Sequence, residues 1–283
     1  MEYVILNNGV EMPTEGFGVF TIEDLDICEQ AVLDALKSGY RLIDTASAYM
    51  NEEAVGAAIR KSGVPREELF ITTKLWVQDA GYETAKQAFE TSLEKLGLDY
   101  IDLYLIHQPF NDYYGSWRAM EELHKEGKIR AIGLSNFDNP QLVDLIMNSK
   151  VVPSVLQIEM HPFFQQQDAI DIMNTYDIQP QAWAPLAKTT EEVLNNNILS
   201  GIAEAHQKTV PQIMLRWHIQ RGVSVIPKST HRNRMEENID IWDFELTEDE
   251  MKQIKTLDQG KSLYIDRQTV ETTEMFNNWK IHD

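Results

Sequence analysis

The sequence predicts an α/β protein of the (β/α)8 class, the TIM barrel, with an N-terminal β-hairpin ahead of the barrel and a C-terminal loop segment near the active site. Three observations carry this prediction. Eight short apolar runs alternate with segments of helical period, which implies parallel strands joined by helical crossovers. No Pro/Gly/Ser-rich linker or low-complexity tract divides the chain, so 1–283 reads as one domain, and a barrel commonly uses about 250 residues. A polar residue closes most of the runs, at the strand ends where barrels carry their chemistry.

The elements follow in order. Tyr3-Val4-Ile5-Leu6 and Val10-Glu11-Met12 flank Asn8-Gly9, a pair suited to the positive φ angles of a type I′ hairpin turn. Gly16 to Phe20 reads as the first barrel strand, with a helix over 24–37; Arg41-Leu42-Ile43 follows, with a helix over 52–62. Phe70-Ile71-Thr72-Thr73 precedes a helix over 82–96, and Ile101 to Ile106 one over 116–126. Ile129 to Leu134 leads to a helix over 139–148, and Val155 to Ile158 to one over 167–175. Pro180-Gln181-Ala182-Trp183 and Val223 to Ile226 complete the eight. Between them Thr209-Val210-Pro211-Gln212 has the form of a capping box with proline in the first turn, and Gly222 suits a helix end. A doubly wound open sheet competes with the barrel, but Gly16-Phe17-Gly18-Val19-Phe20-Thr21 lacks the third glycine of its dinucleotide fingerprint.

Composition narrows the function classes. A chain that is 43% hydrophobic and 25% charged can bury a large core. Its formal net charge of -20 repels a phosphate backbone and an anionic lipid surface, so neither nucleic acid nor membrane is expected as a partner. No stretch is long and apolar enough to span a bilayer, and Met1-Glu2-Tyr3-Val4 does not open a signal peptide, so a cytoplasmic location is expected. The single cysteine, Cys28, rules out an internal disulfide or a cysteine metal cage; it shares a helical face with Leu25, Val32 and Ala35, as a small buried hydrophobe does.

The strand ends carry the chemical signal. Asp44 follows Leu42-Ile43, Lys74 follows Ile71-Thr72-Thr73, His107 follows Leu103 to Ile106, and Ser135-Asn136 follows Ile132-Gly133-Leu134. Gln157 lies in Val155-Leu156-Gln157-Ile158, and Lys228 follows Val225-Ile226-Pro227. Each alone is an ordinary solvated or buried polar residue. Their recurrence around one mouth is easier to explain by ligand chemistry than by stability. A metal-dependent hydrolase needs a His-x-His cluster at an early strand, and the early strands offer none. His124, His161, His206, His218 and His282 are scattered, and read as structural or exposed, so no metal is expected.

The stretch Gly39-Tyr40-Arg41-Leu42-Ile43-Asp44-Thr45-Ala46-Ser47-Ala48-Tyr49-Met50-Asn51-Glu52 resembles the first signature of the aldo-keto reductase superfamily. Thr73-Lys74-Leu75-Trp76, Leu105-Ile106-His107-Gln108-Pro109 and Gly133-Leu134-Ser135-Asn136-Phe137 resemble further family blocks, in family order. So do Gln157 to Pro162, Trp183-Ala184-Pro185-Leu186 and Ile226-Pro227-Lys228-Ser229-Thr230. The likeness runs from the hairpin to about residue 240, is of the microbial aldehyde and diketo-acid reductase type, and is looser beyond.

The resemblance implies reduction of aldehydes and ketones, dicarbonyls and keto-sugars included, to alcohols by hydride transfer from NADPH, returning NADP+. It implies a catalytic tetrad of Asp44, Tyr49, Lys74 and His107. The residue types suit the chemistry. Reduction leaves alkoxide character on oxygen, which a proton donor must quench. A Lys74 cation is expected to favour the Tyr49 phenolate and lower its pKa, with Asp44 holding the ammonium and His107 donating to the substrate oxygen.

Cofactor contacts implied by the same likeness are Ser135, Asn136 and Gln157 on the carboxamide, Trp183 stacked on the nicotinamide beside Pro185 and Leu186, and Glu237 and Asn238 at the adenine. Lys228-Ser229-Thr230-His231-Arg232-Asn233-Arg234 holds three fixed cations and no acid; Lys228, Ser229, Thr230 and Arg234 suit the adenosine 2′-phosphate. His231 stands where many microbial members carry arginine. Phe20, Trp76 and Gln108 are the implied substrate-pocket residues, with tryptophan frequent in the family at the first and last of these places. The partner expected is a small carbonyl substrate, and the chain a monomer or weak homo-oligomer. Some family members are non-catalytic regulatory subunits; the intact tetrad argues against that role.

Overall fold

The computed structural model describes residues 2–283. Among the described residues there are ten strands: β1 (Tyr3–Ile5), β2 (Glu11–Pro13), β3 (Gly16–Gly18), β4 (Leu42–Asp44), β5 (Phe70–Leu75), β6 (Ile101–Ile106), β7 (Ile129–Ser135), β8 (Val155–Glu159), β9 (Gln179–Trp183) and β10 (Ser224–Val225). The last eight pair in parallel in chain order, β3 to β10. The sheet closes where Val225 N donates to Thr14 O at 2.9 Å and Gly18 N to Pro227 O at 3.1 Å, so the expected barrel is found. Its strands are buried on both faces, which is why they read as continuous apolar runs rather than alternating ones. In β7 the backbone packs so closely that a Cβ at Gly133 would lie 2.5 Å from Val155 O.

Helices fill the connections close to where their periodicity puts them: Leu25–Lys37, Glu52–Ser62, Tyr82–Leu96, Asn139–Met147 and Gln167–Thr175. The helix expected over 116–126 starts earlier, at Tyr113, because the Asp112 carboxylate accepts from Gly115 N and caps it there. Thr209 and Gln212 form the expected capping box of helix Val210–Gln220, and Gly222 follows its end with φ 73°. Two further helices, Glu191–Leu194 and Asn197–His206, lie between β9 and that helix, capped by Thr190 and Asn196.

The hairpin β1–β2 is antiparallel, but its turn is not type I′. Gly9 alone has positive φ (86°), Gly9 N donates to Leu6 O and Leu6 N to Val10 O. The Asn8 side chain accepts from Val10 N, which fixes Asn8 and yields a three-residue loop with a glycine bulge. Asn7 donates to Pro153 O and Asn8 to Arg130 O, tying the hairpin across the N-terminal ends of the strands. Leu6 and Met12 join Leu42, Phe70, Leu103, Leu105 and Val155 in the barrel interior. That end is therefore plugged, and the C-terminal strand ends form the mouth.

The C-terminal segment is not all loop. It carries helix Glu248–Lys255 and, past it, helix Val270–Asn278, which packs Phe276 against Trp76 near the mouth. Among the described residues no helix is long and apolar enough to cross a membrane.

Candidate active site

Asp44 ends β4 and Lys74 sits next to the last residue of β5, so parallel pairing sets their side chains side by side in the barrel mouth, both buried. Lys74 Nζ donates to Asp44 Oδ1 at 2.5 Å, to Thr45 O at 2.9 Å and to Tyr49 Oη at 3.4 Å. Three acceptors use its three protons. Asp44 Oδ2 accepts from Gln157 Nε2 at 2.8 Å, so both carboxylate oxygens are held. Tyr49 stands on the short helical turn Ser47–Tyr49 just past β4, kept in place by Ser47 Oγ donating to Lys74 O. Since the Tyr49 oxygen accepts from Lys74, its own proton is left to be donated elsewhere.

The electrostatics differ from the sequence expectation in one respect. Burial, and after it the charge of Asp44, holds the Tyr49 phenol well above its ordinary value rather than lowering it. Burial also pulls the Lys74 ammonium down, against the support of Asp44. The sequence displays the charges but not the dehydration, and here dehydration is the larger effect. His107, directly after β6, is held well below the usual histidine range by burial, then by Lys74 and Arg267. It is neutral at neutral pH. Its ring meets Tyr49 edge-on at 5.5 Å and Trp76 at 5.2 Å, and its Nδ1 is buried with no partner.

A cavity of about 630 Å³ opens over these groups. Of the residues singled out from sequence, Phe20, Asp44, Tyr49, Trp76, His107, Gln108, Ser135, Asn136, Gln157, Trp183, Pro185, Leu186 and Lys228 line it. Lys74 does not, lying wholly buried beneath Asp44 and Tyr49, and neither do Ser229, Thr230, Arg234, Glu237 and Asn238, which continue from Lys228 into helix Arg232–Ile239, beyond the cavity edge. Asn136, in the left-handed region at φ 64°, is engaged within the protein: Nδ2 donates to His107 O and Ser135 Oγ, and Oδ1 accepts from Trp183 Nε1 at 2.9 Å. Gln157 Nε2 is likewise taken by Asp44 and Gln181, which leaves Oε1 as its free amide group.

Past the last strand, Lys228, Thr230 and Arg234 are exposed, and neither Lys228 nor Arg234 has an ion-pair partner among the described residues. Arg232 instead pairs with Glu236 at 2.8 Å. Glu237 accepts from the Thr209 hydroxyl at 2.6 Å. His231 precedes the helix with no side-chain cap; Arg234 N donates to His231 O at 3.1 Å, which leaves the N–H groups of Arg232 and Asn233 open.

The C-terminal segment lies near the site, as the sequence led one to expect, but the residues it contributes were not singled out from sequence. Tyr264, Ile265, Arg267, Met275, Phe276 and Trp279 all line the cavity. Glu159, buried at the end of β8, accepts from Ser262 Oγ at 2.5 Å, from Leu263 N at 2.8 Å and from His161, and so clamps the segment to the barrel. Trp76 Nε1 donates to Trp279 O and Tyr264 Oη to Ala187 O. The buried acid in Gln157-Ile158-Glu159 was the available signal.

The aldo/keto reductase family model matches residues 23–259. A glyoxal reductase of Bacillus subtilis is 51% identical over 259 residues, covering 91% of this chain and 93% of that protein. Methylglyoxal reductase DkgA of Escherichia coli is 45% identical over 261 residues, covering 91% and 94%. The crystal structure of a Bombyx mori aldo-keto reductase in complex with NADP has a TM-score of 0.89 at 36% identity, covering 94% of this chain and 95% of that one.

Proposed function

The chain belongs to the aldo/keto reductase family of oxidoreductases, and on that premise we propose that it reduces small aldehydes and ketones with NADPH, using Asp44, Tyr49, Lys74 and His107 as its catalytic residues. The observation that carries this reading is the three-way hold of Lys74 on Asp44, Thr45 and Tyr49, beneath a cavity that Asp44 and Tyr49 line. Relatives named for glyoxal and methylglyoxal favour short dicarbonyls among the substrates. Residues 1–283 act as one domain in this proposal, since the segment past 259 lines the same cavity.

The residues present fit the cofactor. Lys228 and Arg234 are cations without ion-pair partners among the described residues, and the uncapped start of helix Arg232–Ile239 offers the N–H groups of Arg232 and Asn233 to a phosphate. Trp183 supplies a flat ring in the cavity wall, held by Asn136, and Gln157 Oε1 and the Ser135 hydroxyl are left to bind an amide. Glu237 and Asn238 lie further along the same helix, suited to the adenine. The bound nucleotide supplies the hydride.

The protein's own groups handle the proton. Tyr49, kept protonated by burial, releases its phenolic proton to the carbonyl oxygen as negative charge builds there. Lys74 meets the phenolate that is left, and Asp44 keeps Lys74 charged in spite of its burial. Neutral His107 still carries one N–H with which to orient the oxygen. Phe20, Trp76 and Gln108 line the cavity and set its shape.

The test is NADPH oxidation with methylglyoxal, glyoxal, aromatic aldehydes and keto-sugars, with and without a strong chelator. Turnover unaffected by chelation supports the reading. Nucleotide binding with no turnover of any carbonyl would overturn it.

A further inference from the structure

We infer that Asn51 is a positioning residue for the proton donor: through Thr45 it braces the turn that presents Tyr49 to Lys74. The inference rests on the proposed reductase activity and adds to it a residue outside the cavity, since neither Asn51 nor Thr45 lines it.

The need arises from how Tyr49 is carried. Ser47–Tyr49 is a single 3-10 turn, closed at Met50 by left-handed backbone at φ 57°. So short a turn, with the poorer hydrogen bonds of its type, does not hold its shape alone. A reacting group misplaced by about 1 Å can lose on the order of 10²-fold in rate, so other residues must fix the hydroxyl.

Asn51 follows Met50 and occupies the N-cap position of helix Glu52–Ser62, where an asparagine ordinarily caps the first turn with its side chain. Here it makes no such bond. The side chain, fully buried, serves the neighbouring loops instead. Its Nδ2 donates to Val19 O at 3.1 Å and to Ile22 O at 3.2 Å, and its Oδ1 accepts from Thr45 Oγ1 at 2.8 Å. Backbone carbonyls only accept, so Nδ2 must face them, and the Thr45 hydroxyl is then the donor to Oδ1.

These three bonds tie the loop after β3 to the loop after β4. Thr45 is the residue whose carbonyl takes a proton of Lys74, and its own N–H donates to Thr72 O in β5 at 2.9 Å. Val19 and Ile22 bracket Phe20, whose ring packs against that of Tyr49 at 4.9 Å between centroids. Asn51 therefore fixes both the carbonyl that Lys74 binds and the loop whose ring supports Tyr49. An amide turned away from its own helix to do this is what separates Asn51 from an ordinary cap.

Replacing Asn51 itself leaves two buried carbonyls unpaired, so the test is made at Thr45. Thr45→Val removes one hydroxyl and no volume, while Thr45→Ser keeps the hydroxyl. In Thr45→Val, kcat for methylglyoxal should fall about ten- to hundred-fold, with KM and NADPH Kd within about two-fold of wild type. The solvent deuterium isotope effect on kcat should rise, because proton transfer from a displaced Tyr49 becomes slower. Thr45→Ser should stay within about three-fold of wild type in kcat. A lowered Tm with kcat unchanged, or equal losses in Val and Ser, would overturn the inference and leave Asn51 as a support of the fold. Crystal structures of wild type and Thr45→Val keep the two readings apart. A wild type without turnover of any carbonyl sinks the reductase proposal, whereas the brace is then decided by the Tyr49 to Lys74 contact: lost in the variant if Asn51 positions the turn, unchanged if it does not.

Discussion

Lys74 donates to the phenolic oxygen of Tyr49 across 3.4 Å, in surroundings that raise the tyrosine pKa and lower the lysine pKa together. The two groups are therefore poised as a neutral phenol beside an ammonium that needs Asp44 to remain charged. Proton release from Tyr49 is opposed by burial and rewarded by Lys74, so the contact matters most when the phenolate forms.

Removal of the ammonium should separate catalysis from stability. Lys74→Met leaves Asp44 charged and buried, which costs about 3–5 kcal/mol for a broken buried pair. Turnover should fall by on the order of 10²-fold or more. Adding Asp44→Asn should restore much of the stability, read by urea unfolding, and none of the turnover. Recovery of activity in the double variant would show that the ion pair serves only packing.

The pH profile follows from the same groups. His107 titrates well below its ordinary range and Tyr49 well above its own, so neither changes state near neutrality. The kcat for reduction should be flat from about pH 6 to 8.5, falling only on the alkaline side. A bell centred near neutrality would mean that His107 titrates during turnover.

Cofactor choice should rest on the cations after β10. Arg234 is exposed and has no ion-pair partner among the described residues, so Arg234→Ala should leave the fold intact. NADPH affinity should weaken about ten- to hundred-fold, as for one charge-assisted hydrogen bond, with NADH affinity little changed. Equal losses for both nucleotides would place Arg234 at the adenine or in the fold.

The barrel seam carries a pH-dependent cost. Glu15, paired to Val225 where the sheet closes, is buried with both carboxylate oxygens unpartnered. Burial raises its pKa to about 8, against weaker opposing influences that include the Trp242 indole, which lies near but outside hydrogen-bonding geometry. Between pH 4.5 and 8 the folded protein therefore holds a proton that the unfolded chain gives up, so stability falls as pH rises through that window. Glu15→Gln should raise the Tm at pH 9 and leave it nearly unchanged at pH 4.5, the difference being read by calorimetry. A variant less stable than wild type at pH 9 would show a paired, useful carboxylate.

Much of this was legible in the sequence, because strand order in a barrel places consecutive strand ends around one mouth. Asp44, Lys74 and His107 could be read as neighbours from their positions after apolar runs alone. Tyr49 needed the family likeness, since nothing in the spacing aims a tyrosine on a short turn at Lys74. The place of the C-terminal segment near the mouth was legible, but which of its residues form the wall was not, for a different reason. It is held by contacts between residues far apart in the chain, Glu159 with Ser262 and Trp76 with Trp279, and such polar clamps leave no periodicity. The Asn8-Gly9 turn escaped because an asparagine side chain settled its own backbone.

The central claim is that Tyr49 gives up the proton while the rest of the site binds the reactants. Tyr49→Phe keeps the ring against Phe20 and His107 and removes only the hydroxyl. The decisive measurement is kcat for methylglyoxal reduction together with NADPH Kd in this variant. The account predicts a loss of kcat of at least about 10²–10⁴-fold with the Kd nearly unchanged. Retention of more than about a tenth of wild-type turnover would contradict it.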